Sequence, residues 1–159
     1  MLSIIIPTHN EANYLPKLLD SIKNQSFNDY EIIVSDANST DNTCQIASEF
    51  GAKIVLGGMP AFGRNRGADA ASGELFLFLD ADVILTDYDF LKNIIEEFQN
   101  RNLDIATCHL EPDSKKFIDR FFHKTYDFYV SKMRKILPHA PGFFILIKKE
   151  LFEKIGGFD

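Results

Sequence analysis

Glu74-Leu75-Phe76-Leu77-Phe78-Leu79-Asp80-Ala81-Asp82 is a run of almost unbroken hydrophobicity that stops on two carboxylates. A short apolar run without alternation fits a strand buried on both faces, as in a parallel sheet covered by helices. Asp80 and Asp82, two positions apart at its end, repel each other unless positive charge sits near them. A hard divalent cation suits that arrangement, with carboxylate oxygens on one side and substrate phosphates on the other. Mg²⁺ is typically held by one or two carboxylates plus phosphate oxygens, and Mn²⁺ favours similar ligands. The bland alternative is a turn in which one Asp caps a helix and the other is solvated. Asp-x-Asp alone does not separate the two, but its place after an apolar strand favours the metal.

Upstream, three more strands are expected at Leu2–Ile6 (ended by Pro7), Glu31–Ser35 and Lys53–Leu56. Between them fall helical patterns. Ala12–Asn24 carries Leu15, Leu18, Leu19 and Ile22 at helical spacing, with Pro16 near the first turn, where a missing N–H costs little. A second helix carries Ile46, Ala47 and Phe50, with Thr40 or Asp41 as its cap and Gly51 as its end. A third runs from Ala61 to Ala71 and ends at Ser72-Gly73. Downstream the reading is a helix at Phe90–Asn100, a strand at Leu103–Leu110, a long helix at Lys115–Leu137, a strand at Gly142–Ile147 and a helix at Lys149–Ile155. Strands alternating with helices indicate an α/β fold, a Rossmann-like, mostly parallel sheet flanked by helices on both faces. Ligands in such sheets bind at the carboxyl ends of the strands. The unusual polar residues cluster there: Pro7–Glu11, Asp36–Asp41 and Asp80–Asp82.

At 159 residues the chain is one domain by length. Its formal charge of -6 argues against a nucleic-acid partner, since affinity for phosphate backbones is mostly electrostatic. Cys44 and Cys108 lie far apart and match no metal-ligand spacing, so they read as reduced thiols. The start, Leu2-Ser3-Ile4-Ile5-Ile6-Pro7, has neither the basic region nor the cleavage site of a signal peptide, and no apolar run approaches the roughly 18–20 residues that span a bilayer. The expectation is a cytoplasmic chain, soluble or peripheral. Between Lys115 and Leu137, the cations Lys115, Lys116, Arg120, Lys124, Lys132, Arg134 and Lys135 face only Asp119 and Asp127, with Phe117, Phe121, Phe122, Phe128, Tyr129 and Met133 interleaved. Such a helix either packs on the core with a solvated basic face or lies on the inner face of the membrane, where it would present a lipid-linked acceptor.

The remaining candidates each have two readings. Asp36 can accept hydrogen bonds from a base or ribose, or open an Asx-type turn through Asn38, Ser39, Thr40 and Asp41 into the next helix. His9 can stack on a planar base or be an ordinary loop histidine. Gly63-Arg64-Asn65-Arg66-Gly67 puts cations beside small residues at a helix start, which favours phosphate, with Arg64 preferred over Arg66. His139 is a candidate third metal ligand or acceptor contact, against the commoner reading of a lone histidine as neither. The chain lacks both G-x-G-x-x-G after the first strand and G-x-x-x-x-G-K-[ST], which argues against dinucleotide oxidoreductases and P-loop NTPases.

Taken in order, Ile4–Glu11, Glu31–Thr43, Gly63–Gly67, Gly73-Glu74, Phe78–Asp82 and Gly156-Gly157-Phe158-Asp159 resemble the family 2 glycosyltransferases of the GT-A fold. That resemblance implies a sugar moved from a UDP- or GDP-linked donor to an acceptor hydroxyl on a sugar, lipid-linked or protein acceptor, most often with inversion. Pro7, His9 and Glu11 would line the base pocket, Thr8 would support the turn, and Asp36 would bind the base. Arg64 would lie near the diphosphate, Asp80 with Ala81 near the ribose, and Asp82, with Asp80, on Mg²⁺ or Mn²⁺. The resemblance places the catalytic carboxylate a little downstream of Gly-Gly-Phe-Asp, hence beyond Asp159, so the expectation is a C-terminally incomplete GT-A domain with an unassigned general base and weak or missing turnover. Residues 1–110 would bind the nucleotide sugar and 111–159 would begin the acceptor side. The alternatives are a nucleotide-sugar-binding module without catalysis, and a sugar nucleotidyltransferase. The latter would usually show a glycine-rich loop with a basic residue after the first strand, which Pro7–Glu11 does not.

Overall fold

The computed structural model describes residues 1–108 and 143–159. From the amino end the elements are β1 (Leu2–Thr8), α1 (Leu15–Lys23), β2 (Tyr30–Asp36), α2 (Thr43–Glu49), β3 (Lys53–Leu56), α3 (Pro60–Asp69) and β4 (Leu75–Leu79). They are followed by α4 (Phe90–Asn100), β5 (Ile105–Ala106), β6 (Phe144–Lys148) and α5 (Lys149–Ile155). Among the described residues the strands form one six-stranded sheet in the order β3-β2-β1-β4-β6-β5. The pairs β1–β2, β2–β3 and β1–β4 are parallel, and β6 runs antiparallel to both β4 and β5.

The period-two alternation of the strands sorts the core into two layers. Leu2, Ile4 and Ile6 of β1, with Val34, Leu77, Leu79 and Phe144, meet the apolar stripe Leu15, Leu18, Leu19 and Ile22 of α1 and the inward residues of α4. Ile5, Ile33, Phe76, Phe78 and Ile145 face the other way, against Ala68 of α3 and Phe152 of α5. Helix α3 lies close to β1 because it is glycine-faced. A Cβ on Gly67 would stand 2.3 Å from Ile5 Cγ2, and one on Gly63 would stand 3.3 Å from Pro7 Cβ. Ile5 is fully buried and β-branched, so it cannot step aside. Gly67→Ala is therefore expected to destabilise the fold by about 1–3 kcal/mol through overpacking, despite alanine's better helix propensity. A urea titration showing equal or greater stability would contradict this packing.

Local differences from the sequence reading have local causes. The first helix starts at Leu15, not Ala12, because the amides of Glu11 and Ala12 bond to Thr43 Oγ1 and Asp41 Oδ2 of the neighbouring loop, at 2.8 and 3.1 Å. Asp41 also accepts the Thr43 amide at 3.0 Å, at the start of α2. Gly51, at φ 78°, follows α2 in the left-handed region that favours glycine. The strand expected at Leu103–Leu110 is limited, within the described residues, to Ile105–Ala106. Gly63–Gly67 sits inside α3 rather than at its start, which is Pro60. Lys115–Leu137 and His139 lie outside the described residues.

From β1 the chain steps outward to β2 and β3, then crosses back to place β4 on the other side of β1. Neighbouring strands whose connections leave in opposite directions open a crevice at their carboxyl ends. Here that crevice lies beyond Thr8 and Leu79.

Candidate functional site

A cleft of about 450 Å³ occupies that position, lined by Pro7, Thr8, His9, Glu11, Tyr14, Gly58, Pro60, Arg64, Asp80, Ala81 and Asp82. A larger cavity, about 730 Å³, opens at the opposite end of the sheet beside Leu2, Glu74 and Leu75, away from Pro7–Glu11, Arg64 and Asp80–Asp82. The chemistry-bearing side chains mark the smaller one.

At the end of β4 the chain turns through Asp80-Ala81-Asp82-Val83, with the Val83 amide bonded to the Asp80 carbonyl at 3.2 Å. Ala81 and Val83 point into the core, at 4% and 5% exposure, so the alternate residues Asp80 and Asp82 border the cleft. The Asp80 amide donates to the Phe143 carbonyl at 3.2 Å, which fixes the turn to the strand beside it. From α3, Arg64 Nη2 donates to Asp80 Oδ1 at 2.6 Å. Its guanidinium also lies over the Phe158 ring, 5.5 Å from the centroid. Arg66, by contrast, is exposed and stacks on Phe62 at 5.2 Å.

The cleft is electrostatically negative. Burial pushes the Asp80 carboxyl up; Arg64 opposes the shift and Asp82 adds to it, leaving it above the usual carboxylate range. Burial also raises Glu11, with Asp82, Asp41 and Asp80 adding to the shift and His9 opposing it. Among the described residues no three His, Cys, Asp or Glu side chains gather into a protein-only metal cage. Two carboxylates facing an open cleft nevertheless fit the habit of Mg²⁺ and Mn²⁺, which fill the rest of their shell with phosphate oxygens and water. The residues present therefore suit such an ion better than they suit a closed structural site.

The loops after β1 and β2 are zipped together beside the cleft. Asn10 and Asn38 both adopt φ 57°, a left-handed conformation that Asn tolerates well. The Asn10 amide donates to Ser39 Oγ at 2.8 Å, and Asn10 Oδ1 accepts the Thr40 amide at 2.8 Å. His9 Nδ1 lies 2.8 Å from the Ala37 carbonyl, which can only accept, so Nδ1 carries the hydrogen and Nε2 accepts from the Asn10 side chain at 3.2 Å.

Asp36 is 5% exposed and anchors this loop pair from behind. Its Oδ1 accepts from Thr8 Oγ1 at 2.9 Å and Ser39 Oγ at 2.5 Å, and its Oδ2 accepts the Ser39 amide at 2.8 Å. Burial alone would raise this carboxyl, but hydrogen bonds from Ser39, Thr8 and the Cys44 thiol outweigh it and hold it below the usual range. A depressed carboxyl stabilises the fold above its unfolded pKa, about 3.9, and loses that contribution as pH falls through the folded value. Asp36→Ala is expected to cost about 1–3 kcal/mol near neutral pH because it orphans buried donors. That penalty should shrink as the wild-type carboxylate protonates; a penalty constant from pH 7 down to acid unfolding would contradict the assignment. Both thiols are raised by burial, Cys108 to about 11 and Cys44 with help from Asp36, as suits unreactive reduced cysteines.

The structure thus brings Pro7, Thr8, His9, Glu11, Arg64, Asp80, Ala81 and Asp82 onto one cleft, with Asp36 behind it. Sequence reasoning missed Tyr14, counted there within a helix, and Asn65. The Asn65 carboxamide bonds both backbone groups of Phe158: Nδ2 to its carbonyl at 2.8 Å, and Oδ1 to its amide at 2.9 Å. The signal for that pairing was the glycine pair before Phe158, which marks a forced turn but not its partner. Among the described residues no helix is long and apolar enough to cross a membrane.

Comparison with known proteins gives the family and the fold. The family model described as Glycosyl transferase family 2 matches residues 3–156. Over 166 aligned residues the chain is 34% identical to the GalNAc(5)-diNAcBac-PP-undecaprenol beta-1,3-glucosyltransferase of Campylobacter jejuni, covering 96% of this chain and 53% of that protein. Among solved structures, a mannosyltransferase of Pyrobaculum calidifontis in complex with GDP-Man and Mn²⁺ superposes with a TM-score of 0.75 at 24% identity, over 99% of this chain and 47% of that one. S. aureus TarS in complex with UDP gives 0.74 at 22% identity, over 97% of this chain and 48% of that one. The chain therefore spans about half the length of the relatives it matches. With the family model covering nearly all of its residues and the sheet shared with these enzymes, this chain belongs to glycosyl transferase family 2 and has the GT-A-type fold.

Proposed function

We propose that this chain forms the donor-binding part of a glycosyltransferase that moves a sugar from a UDP- or GDP-linked donor to an acceptor hydroxyl, with inversion at the transferred carbon. The observation that carries the reading is the convergence of Arg64, Asp80 and Asp82 on one cleft at the switch point between β1 and β4. A cation and an acidic pair at that position suit a nucleoside diphosphate and its counter-ion. The relatives solved with GDP-Man and Mn²⁺, or with UDP, support the same ligand class.

In this reading Pro7, Thr8, His9 and Glu11 form the wall against which the base lies, with Asp36 holding that wall through Thr8 and Ser39. Arg64 binds the diphosphate, Asp80 and the Ala81 backbone border the ribose, and Asp82 with Asp80 holds Mg²⁺ or Mn²⁺. The ion, when bound, supplies positive charge that helps the nucleoside diphosphate depart. Residues 1–110 act as the donor half and residues 111–159 belong to the acceptor side. A lipid-linked acceptor at the cytoplasmic membrane face is favoured by the basic, aromatic composition of residues 115–137, and the Campylobacter relative's name describes such an acceptor.

Thermal unfolding tests the ligand class. A ligand at about 100 times its Kd stabilises the folded state by roughly 2.7 kcal/mol, which for a chain of this size raises the Tm by about 5–10 °C. UDP or GDP with Mn²⁺ is expected to produce that rise, and EDTA to remove it. No rise with either nucleotide at saturating concentration would overturn the reading.

A further inference from the structure

The geometry points to Asn65 as a positioning residue for donor binding, one that touches no ligand itself but fixes Arg64 by holding Phe158 beneath it. The assignment rests on the donor reading above and adds to it the means by which the phosphate-binding cation is aimed.

The chain leaves α5 through Gly156 and Gly157, at φ 82° and 83°. Two consecutive glycines in the left-handed region make a tight reversal, but such a segment has wide conformational freedom of its own. Asn65 removes that freedom at the next residue. Its Oδ1 accepts the Phe158 amide at 2.9 Å and its Nδ2 donates to the Phe158 carbonyl at 2.8 Å. A backbone amide only donates and a carbonyl only accepts, so these partners fix the carboxamide's orientation. The fit is close, since a Cβ on Gly157 would stand 2.6 Å from Asn65 Oδ1.

With its backbone clasped in this way, Phe158 packs its ring against the core. It packs edge-on against Phe78 at 4.9 Å and lies 5.7 Å from Phe152, which makes it part of the core layer under α3 and α5. Its outer side carries the Arg64 guanidinium at 5.5 Å, within the range at which a cation is held by an aromatic ring. Arg64 reaches from that support to Asp80 at 2.6 Å. Because Asn65 and Arg64 are adjacent on α3, the helix delivers the cation to the cleft and the clasp to its rear support from one turn. A lysine or arginine on an unsupported stem would lose rotamer freedom on binding phosphate; here that loss has already been met in the folded protein.

The test uses ¹⁵N NMR of the full chain, following the Arg64 Nε–H resonance, identified by its loss in Arg64→Lys. In the wild type it is expected away from the free-arginine position because of the Phe158 ring current. Asn65→Ala and Gly157→Ala should both return it toward that position while the amide resonances of β1 stay in place. Asn65→Asp, which keeps only the acceptor, should give an intermediate shift and guards against a variant that fails to fold. Titration with UDP and GDP in Mn²⁺ then reads the consequence: Asn65→Ala should weaken binding about tenfold, and adding Arg64→Lys to it should weaken binding little further. An Arg64 resonance unmoved in Asn65→Ala and Gly157→Ala overturns the positioning role. A moved resonance with unchanged nucleotide affinity overturns its part in donor binding. A moved resonance in a protein whose wild type binds neither nucleotide supports the clasp and overturns the donor reading instead.

Discussion

Asp82→Ala is expected to weaken Mn²⁺-dependent binding of a nucleoside diphosphate by roughly 100-fold or more, with the Tm of the ligand-free protein almost unchanged. Altering a group that merely orients a metal ligand already costs about 10–100-fold in affinity, and Asp82 is assigned here as a ligand itself. The lack of a stability effect follows from its place. Asp82 is exposed on a turn whose anchors are its neighbours Ala81 and Val83, and substitutions on such surfaces usually stay within about 0.5 kcal/mol. Asp80 is a poorer probe, because it also holds Arg64 and its loss would disturb both the proposed ion site and the guanidinium. Isothermal titration of the variant beside the wild type, with a thermal melt of each, separates the two effects. Equal nucleotide affinity in the two proteins would remove Asp82 from the metal site.

The second large effect lies in the core. Phe78→Ala is expected to destabilise the chain by about 3–5 kcal/mol, the range for truncating a buried phenylalanine. Phe78 is fully buried on β4, with ring centroids of Phe158, Phe152 and Phe76 at 4.9, 5.3 and 6.3 Å. Those neighbours come from the strand itself, from α5 and from the segment after it, so collapse into the cavity would require several elements to move together. Urea titration should show the midpoint falling at unchanged slope. A loss below about 1 kcal/mol would mean that the aromatic layer under α3 and α5 is loosely packed. The consequence reaches the cleft, because the same ring supports Phe158 and, through it, Arg64.

Much of this was legible in residue order. The apolar runs of β1, β2 and β4 are buried on both faces and carry the pattern a parallel sheet requires, and the stripe Leu15, Leu18, Leu19, Ile22 gave α1 its inward face. Helices α4 and α5 fall on the expected residues because their apolar periodicity is uninterrupted. The place of β6 between β4 and β5 was not legible. Leu79 pairs with Phe144 across a long stretch of chain, and an apolar pattern says that a strand is buried without saying beside which strand.

Within the cleft, Asp80 and Asp82 announced themselves because paired acids after an apolar strand are costly without a reason. Gly63 and Gly67 have a packing role that their spacing did not announce. A glycine in a cationic helix serves close approach to a phosphate or to a strand, and the 2.3 Å that would separate a Cβ on Gly67 from Ile5 shows the approach to the strand. From spacing alone Asp36 stood between a base contact and an Asx-type turn, and its bonds to Thr8 and Ser39 show the turn. Asn65 was invisible, since its partners are backbone atoms of a residue far along the chain.

The central claim is that the crevice between β1 and β4 binds a nucleoside diphosphate with a divalent ion. Isothermal titration calorimetry of the wild-type chain with UDP and with GDP, each in Mn²⁺ and again in EDTA, tests it most directly. Saturable binding of one nucleotide with one-to-one stoichiometry in Mn²⁺, lost in EDTA, is the predicted result and would also identify the base. Heats no larger than dilution for both nucleotides in Mn²⁺ would contradict it.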